Sequence, residues 1–264
     1  MGLPAIPCLG PVLTTKHPSY PKPTIVQVTC EIGFVSEAEV KLQTGIIYPL
    51  FAGEFPEMQA VPTQLQFVVS QQPTMAPELL RSQNAGAFRF ATSDGKRFVQ
   101  VSSVNFVYQS NEVYPGWDVF RRKLLELWEL YSTHIKSSTV TKIGLRYINR
   151  ITHTEKLTRP SDWLQPTSDL PEALLSSQGH FLGRLETSPT PSDLRVVTVT
   201  GEPAGPDWPY GTTVMDIDRI TTELNEPTAP KIAEALDVLH EDVWTTFDSA
   251  GTNSLKQLLS GKLK

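Results

Sequence analysis

Cysteine is nearly missing: Cys8 and Cys30 are the only two in 264 residues. Two cannot build a disulfide framework, and with no C-x-x-C spacing they cannot build a Cys-rich zinc site. Such usage suits a reducing cytoplasm. Charge is also sparse, at 19% of residues against a usual ~25%. The net charge of −5 is spread over the chain: residues 1–132 carry 10 basic and 11 acidic side chains, and residues 133–264 carry 13 and 17. Neither half offers the positive field that nonspecific nucleic-acid binding needs. No apolar run approaches the ~18 residues of a membrane span. The start lacks a basic n-region and is broken by Pro4, Pro7 and Pro11, so no signal peptide is expected. Ile6 stands where a myristoylation motif wants Ser or Thr. G-x-S-x-G, G-x-G-x-x-G, G-x-x-x-x-G-K and H-E-x-x-H are all missing, which leaves nucleophile-elbow, dinucleotide, P-loop and zincin chemistry without a motif. A soluble, cytoplasmic protein is the expectation.

Proline, by contrast, is abundant. Six of the 22 prolines fall in the first 23 residues, so residues 1–23 read as an extended arm. Others recur in 49–77 and 160–230, whereas only Pro115 falls in 78–159 and none follows 230. The proline-poor stretches are where regular structure is expected.

From Thr24, Val26, Val28, Cys30, Ile32 and Phe34 alternate with Gln27, Thr29, Glu31 and Gly33, a period-2 strand. Ser36 and Glu39 form a capping box that starts a helix over about 37–50, with Val40, Ile47 and Phe51 facing the core. Residues 53–62 and 71–77 read as turns, with Leu65–Val69 a short strand between them. Ala87–Ser93 and Lys96–Ser102 flank Asp94-Gly95, a strong hairpin signal, and Val104–Tyr108 adds a third strand. Phe120, Leu124, Leu127, Tyr131 and Ile135 make a helical stripe, followed by a long strand at Val140–Ile151. In the second half a short helix is predicted near Leu170–Ser177, and strands at 179–187, 194–200 and 212–220. A long helix carries Ile232, Leu236, Leu239, Val243 and Phe247; Gly251 ends it, and Asn253–Ser260 forms a last helix. Each half reads β-α-β-β-β(-β)-α. The fold class is therefore α+β, a single domain over 24–264 of two pseudo-repeats (about 24–139 and 140–264). Each half is an antiparallel sheet crossed by a long helix in a helix-grip-like arrangement.

Glu37-Ala38-Glu39-Val40-Lys41 spells E-x-E-x-K, the pattern of triphosphate-tunnel enzymes. The same residues make a capping box with a Glu37–Lys41 pair on a helix, where they do not share the face a tunnel needs, and that is the better reading. Lys142, Arg146 and Arg150 share one strand face four residues apart, while Ile143, Leu145, Tyr147, Asn149 and Ile151 form the core side. Such a cationic row can hold phosphate or carboxylate, or pair with acids on a neighbouring strand. Asp216 and Asp218 share a face of the strand at 212–220. They suit a magnesium ion or, preferably, an ion-pair network with Arg146 and Arg150. Asn149 is an amide on an apolar face and needs a hydrogen-bonding partner, expected from backbone or from a side chain of the adjoining helix. His240, between Leu236 and Trp244, reads as a packed, hydrogen-bonded structural histidine, and Tyr114, Trp117 and Phe120 as a packing corner.

The segment Gly144–Ile151, GLRYINRI, is distinctive, with Tyr114-Pro115-Gly116-Trp117, Val214–Asp218 and Leu236–His240 at matching order and spacing. In these the chain, from about Pro21 to Phe247, resembles a family of sporadically distributed, uncharacterised bacterial proteins. That resemblance implies a bacterial, cytoplasmic, single-module protein with an accessory role, linked to conflict or defence gene clusters. It supplies no activity, substrate or catalytic residue.

These readings converge on a non-catalytic binding or regulatory module. It recognises a partner protein or small anionic ligand through Lys142, Arg146, Arg150 and Asn149, needs no cofactor, has no strong nucleic-acid signal and no membrane association, and is free to oligomerise. One alternative is a metal-dependent phosphohydrolase acting on a nucleotide or polyphosphate, with magnesium on Asp216 and Asp218. Another is a structural subunit of a larger complex that docks through the arm.

Overall fold

The computed structural model describes residues 17, 18, 20–36, 40–61, 87–135, 137–176, 180–222 and 228–263. Alternation of Val28, Cys30, Ile32 and Phe34, all buried, makes β1 (Ile25–Ser36) a strand with one core face. The turn-rich stretch after it contains α1 (Val40–Phe51) and β2 (Glu57–Val61). β3 (Ala87–Ala91), β4 (Arg97–Val101) and β5 (Asn105–Ser110) form the anticipated meander. α2 (Trp117–Ile135) leads to the long β6 (Ser137–Thr152). Two short helices, α3 (Pro160–Trp163) and α4 (Glu172–Leu175), precede β7 (Phe181–Thr187), β8 (Asp193–Glu202) and β9 (Thr212–Thr221). α5 (Ala229–Ala250) and α6 (Asn253–Leu259) close the chain.

The nine strands form one antiparallel sheet in the order β2-β3-β4-β5-β1-β6-β9-β8-β7. An α+β fold with a single large sheet thus replaces the two sheets anticipated from element order. β1 and β6 pair at its centre, with Cys30 opposite Leu145 and Ile32 opposite Ile143. α5 packs on β6, β9 and α2. Its apolar stripe (Ile232, Leu236, Leu239, Val243, Phe247) and that of α2 (Phe120, Leu124, Leu127, Tyr131) are buried as the periodicity requires.

Some local expectations differ from the fold. The hairpin between β3 and β4 is a five-residue connection, because Asp94 accepts from the Thr92 hydroxyl at 2.6 Å and the Lys96 amide at 3.0 Å. Gly95 takes the positive φ of 68° that this turn demands. β2 falls where a loop was predicted, since its flanking prolines lie outside it. As an edge strand with four of five residues exposed, it shows no apolar alternation to read. α3 was also unanticipated; Asp162 caps it by accepting from the Arg159 amide at 2.8 Å. The capping box and the E-x-E-x-K pattern depend on residues 37–39, and these, like the strand anticipated at Leu65–Val69, lie outside the described residues.

Candidate functional site

Strand alternation sends the predicted site residues to opposite faces of β6. Lys142, Arg146 and Arg150 point away from the helices; Asn149, only 2% exposed, points into the core layer. On the open face β9 lies beside β6 with Arg146 opposite Asp218 and Ile148 opposite Asp216. Arg146 reaches diagonally to grip Asp216 with two bonds, Nε to Oδ1 at 2.8 Å and Nη2 to Oδ2 at 2.5 Å. That fork raises the guanidinium pKa still further. Asp218 keeps a carboxyl pushed upward by burial, an effect the nearby Arg146 opposes. Lys142 pairs with Glu31 of β1 at 2.9 Å. Arg150 makes no ion pair among the described residues; its guanidinium lies 5.3 Å from the Trp208 ring centre, and its buried Nε has no partner.

The row is therefore neutralised in pieces. Four strand residues rise ~13 Å, so Lys142 and Arg150 stand ~26 Å apart, too far for one small anion to bridge. Both carboxylate oxygens of Asp216 are committed to Arg146, and among the described residues no group of three or more His, Cys, Asp or Glu gathers around a common point. Cys30 is fully buried and its thiol pKa is pushed up by that burial, so it is no nucleophile.

A different site forms on the helix side. The Tyr-Pro-Gly-Trp turn enters α2 through Gly116, whose φ of 96° favours glycine. This start of α2 meets β6 and the middle of α5 around a cavity of about 410 Å³. Tyr114, Trp117, Tyr147, Asn149, His240 and Trp244 supply its polar and aromatic walls, and His17 and Tyr20 its outer side. Trp117 is held twice: its Nε1 donates to Asp237 at 3.0 Å, and Asp237 is itself fixed by Arg121 at 2.8 Å. Its ring lies against His240 with centroids 4.2 Å apart and planes 7° from parallel. The Tyr114 and Tyr147 hydroxyls are 3.1 Å apart, either serving as donor. Asn149 accepts from the Thr24 hydroxyl at 3.1 Å, so the segment before β1, not a helix, provides its partner. His17 stacks on Trp244 at 4.6 Å and bonds to Glu241 at 2.7 Å, and the Lys22 amide donates to Leu259 at 3.1 Å. The described end of the arm is thus pinned over the cavity.

The electrostatics of this site are uniform. Burial, reinforced by His17, lowers the His240 pKa to about 3, so the imidazole is neutral at physiological pH. Burial raises Tyr114 and Tyr147, so these phenols stay protonated. His240 is 7% exposed and its Nδ1 has no hydrogen-bonding partner. It is packed as the sequence suggested, but its hydrogen bonding is incomplete. Asn149 alone of the predicted site residues lines this cavity; a lone amide on an apolar strand face was the signal. His240 gave a weaker one, a polar residue between Leu236 and Trp244 on a buried helical stripe.

No protein-family model matches the chain, and no curated protein matches it either.

Proposed function

We propose that the chain is a non-catalytic binding module that takes a small ligand in the cavity between α2, β6 and α5. The observation carrying this reading is an aromatic-walled cavity lined by His240, whose imidazole makes no hydrogen bond among the described residues. A buried polar atom left unsatisfied costs ~1–3 kcal/mol, and a ligand that bonds to it relieves that cost. The volume falls within the ~300–1,000 Å³ usual for small-molecule sites. An imidazole with so low a pKa is a poor general base, and phenols with raised pKa values are poor acids, which favours binding over turnover. The accessory, cytoplasmic role implied by the GLRYINRI resemblance agrees with this. The reading of two pseudo-repeats stays part of the proposal, supported by the sheet order, in which β1-β5-β4-β3-β2 and β6-β9-β8-β7 each run outward from the centre in descending chain order after the first strand. Ligand-observed NMR with a fragment library tests the proposal. Fragments should bind the native chain and be displaced by Val243→Phe, which fills the cavity from α5. Binders indifferent to that substitution would sink it.

A second reading keeps the open sheet face as a partner-protein surface, favoured by the uncompensated Arg150. It predicts that Arg150→Ala weakens capture of a native partner while Arg146→Ala, already paired to Asp216, does so less. Equal losses in both would count against it.

A further inference from the structure

The cavity's polar groups also define what it binds; the argument rests on the binding reading above. The deep walls carry no fixed charge, since His240 is neutral, Tyr114 and Tyr147 are protonated and Asn149 is an amide; the carboxylate of Asp118, an exposed residue, is the negative charge on the lining. A full charge entering there loses its hydration without meeting a counter-charge, which is costly. Apart from His17 on the outer side, which is bonded to Glu241, the positive feature among the described residues is the start of α2. The amides of Trp117, Asp118 and Val119, all cavity-lining residues, have no hydrogen-bonding partner among the described residues. A helix N-terminus is equivalent to only about half a positive charge, and the Asp118 carboxylate stands in that same first turn. The field there attracts an acceptor atom but does not neutralise an anion.

The hydrogen-bond inventory is biased the same way. In the Tyr114–Tyr147 pair one hydroxyl donates to the other, leaving one phenolic proton unused. The Asn149 amide nitrogen adds donors, since only its oxygen is bonded, to Thr24. Donors are therefore in surplus, and the neutral His240 ring alone offers an acceptor nitrogen as well as an N–H. Flat aromatic walls, including the nearly parallel Trp117 and His240 rings, favour a planar partner.

We infer that the ligand is an uncharged, planar heterocycle carrying a lactam-like edge, a carbonyl beside a ring N–H. The carbonyl faces the amide and phenol donors, and the ring N–H or its tautomer meets the His240 imidazole. One- or two-ring compounds of the nucleobase type fit this description, without sugar phosphates.

Calorimetric titration of the full chain distinguishes the outcomes, using hypoxanthine and uracil as neutral lactam rings, indole as a neutral ring without the carbonyl, and benzoate and benzylamine as charged rings. A lactam ring should bind at least tenfold more tightly than either charged ring. His240→Phe keeps a flat ring against Trp117 but removes both nitrogens. It should weaken lactam binding at least tenfold while leaving indole unchanged, and Tyr147→Phe should weaken lactam binding in a background that retains His240. Benzoate or benzylamine binding as tightly as the lactams, or indifference of lactam affinity to both substitutions, overturns the ligand class while leaving the cavity a binding site. Binding of none of the five rings overturns both readings.

Discussion

Trp117, the first residue of α2, lies face to face with His240 in the middle of α5, with 4.2 Å between ring centres. The contact joins the two long helices and walls the cavity. It also buries an imidazole whose Nδ1 has no partner. One pair of rings thus serves the packing of the helices and lines the cavity.

Trp117→Ala should be among the more damaging single substitutions. It removes a side chain only 5% exposed, its bond to Asp237 and its stack on His240. A loss of about 3–5 kcal/mol is expected for a buried tryptophan truncated to alanine. Urea unfolding measures it, and a loss below ~1 kcal/mol would show that the helices do not depend on this contact.

Stability should fall as pH drops below neutrality. His240 titrates near 6.5 when unfolded and about 3 when folded, so the unfolded chain binds the proton first. Its contribution is fully present above pH ~6.5 and is lost on acidification towards pH 3, amounting to about 2 kcal/mol at pH 5. His153 is also lowered, mainly by burial, and acts in the same direction. Unfolding midpoints at pH 7.5 and pH 5 should therefore converge in His240→Phe by most of that amount. An undiminished acid loss in the variant would assign the effect elsewhere.

Arg219 is the most deeply buried cation described, 1% exposed on the core side of β9. Its Nη2 donates to the Thr246 hydroxyl at 2.5 Å. Its Nε lies 2.7 Å from Asp242, an ion-pair contact whose angle does not make a hydrogen bond. Asp242 also receives a bidentate grip from Arg195, both bonds 2.8 Å. Asp242→Asn leaves two guanidinium groups without their shared anion and should cost roughly 3 kcal/mol. Arg219→Met leaves Asp242 with Arg195 and should cost clearly less. Denaturation of both variants compares them; the reverse order would refute the network as described.

The Arg146–Asp216 fork lies on the open face, with Arg146 45% exposed. Such a pair contributes about 1 kcal/mol at most and is screened by salt. Arg146→Ala should lower the urea midpoint slightly at low ionic strength and less at 0.5 M NaCl. A loss of several kcal/mol that salt leaves unchanged would place this pair in the structural core instead.

Local periodicity made most of the architecture legible. Alternation in Val28–Phe34 and Ile143–Ile151 forces strands with one apolar face, and the stripes from Phe120 and Ile232 force long amphipathic helices, because both patterns depend on residues near in sequence. β2 carried no such pattern, being exposed on nearly every residue at a sheet edge. The cationic row was equally readable, but its meaning was not: whether Lys142 and Arg146 meet ligand or carboxylate depends on which strands lie beside β6. Register settles that, placing Glu31 and Asp216 within reach. Arg219 belongs to the same class, since alternation with Met215 and Ile217 turns it inward while its counter-ion comes from α5.

The sequence by itself determined the long strands and helices of the described residues, the α+β class and the absence of the common catalytic motifs. Tertiary structure alone decided where a site lies. Trp117, Tyr147 and His240 are far apart in the chain and belong to α2, β6 and α5, and they share a cavity only because two helices pack across one sheet. Side-chain neighbours of that kind follow from long-range packing, to which no local sequence pattern is sensitive.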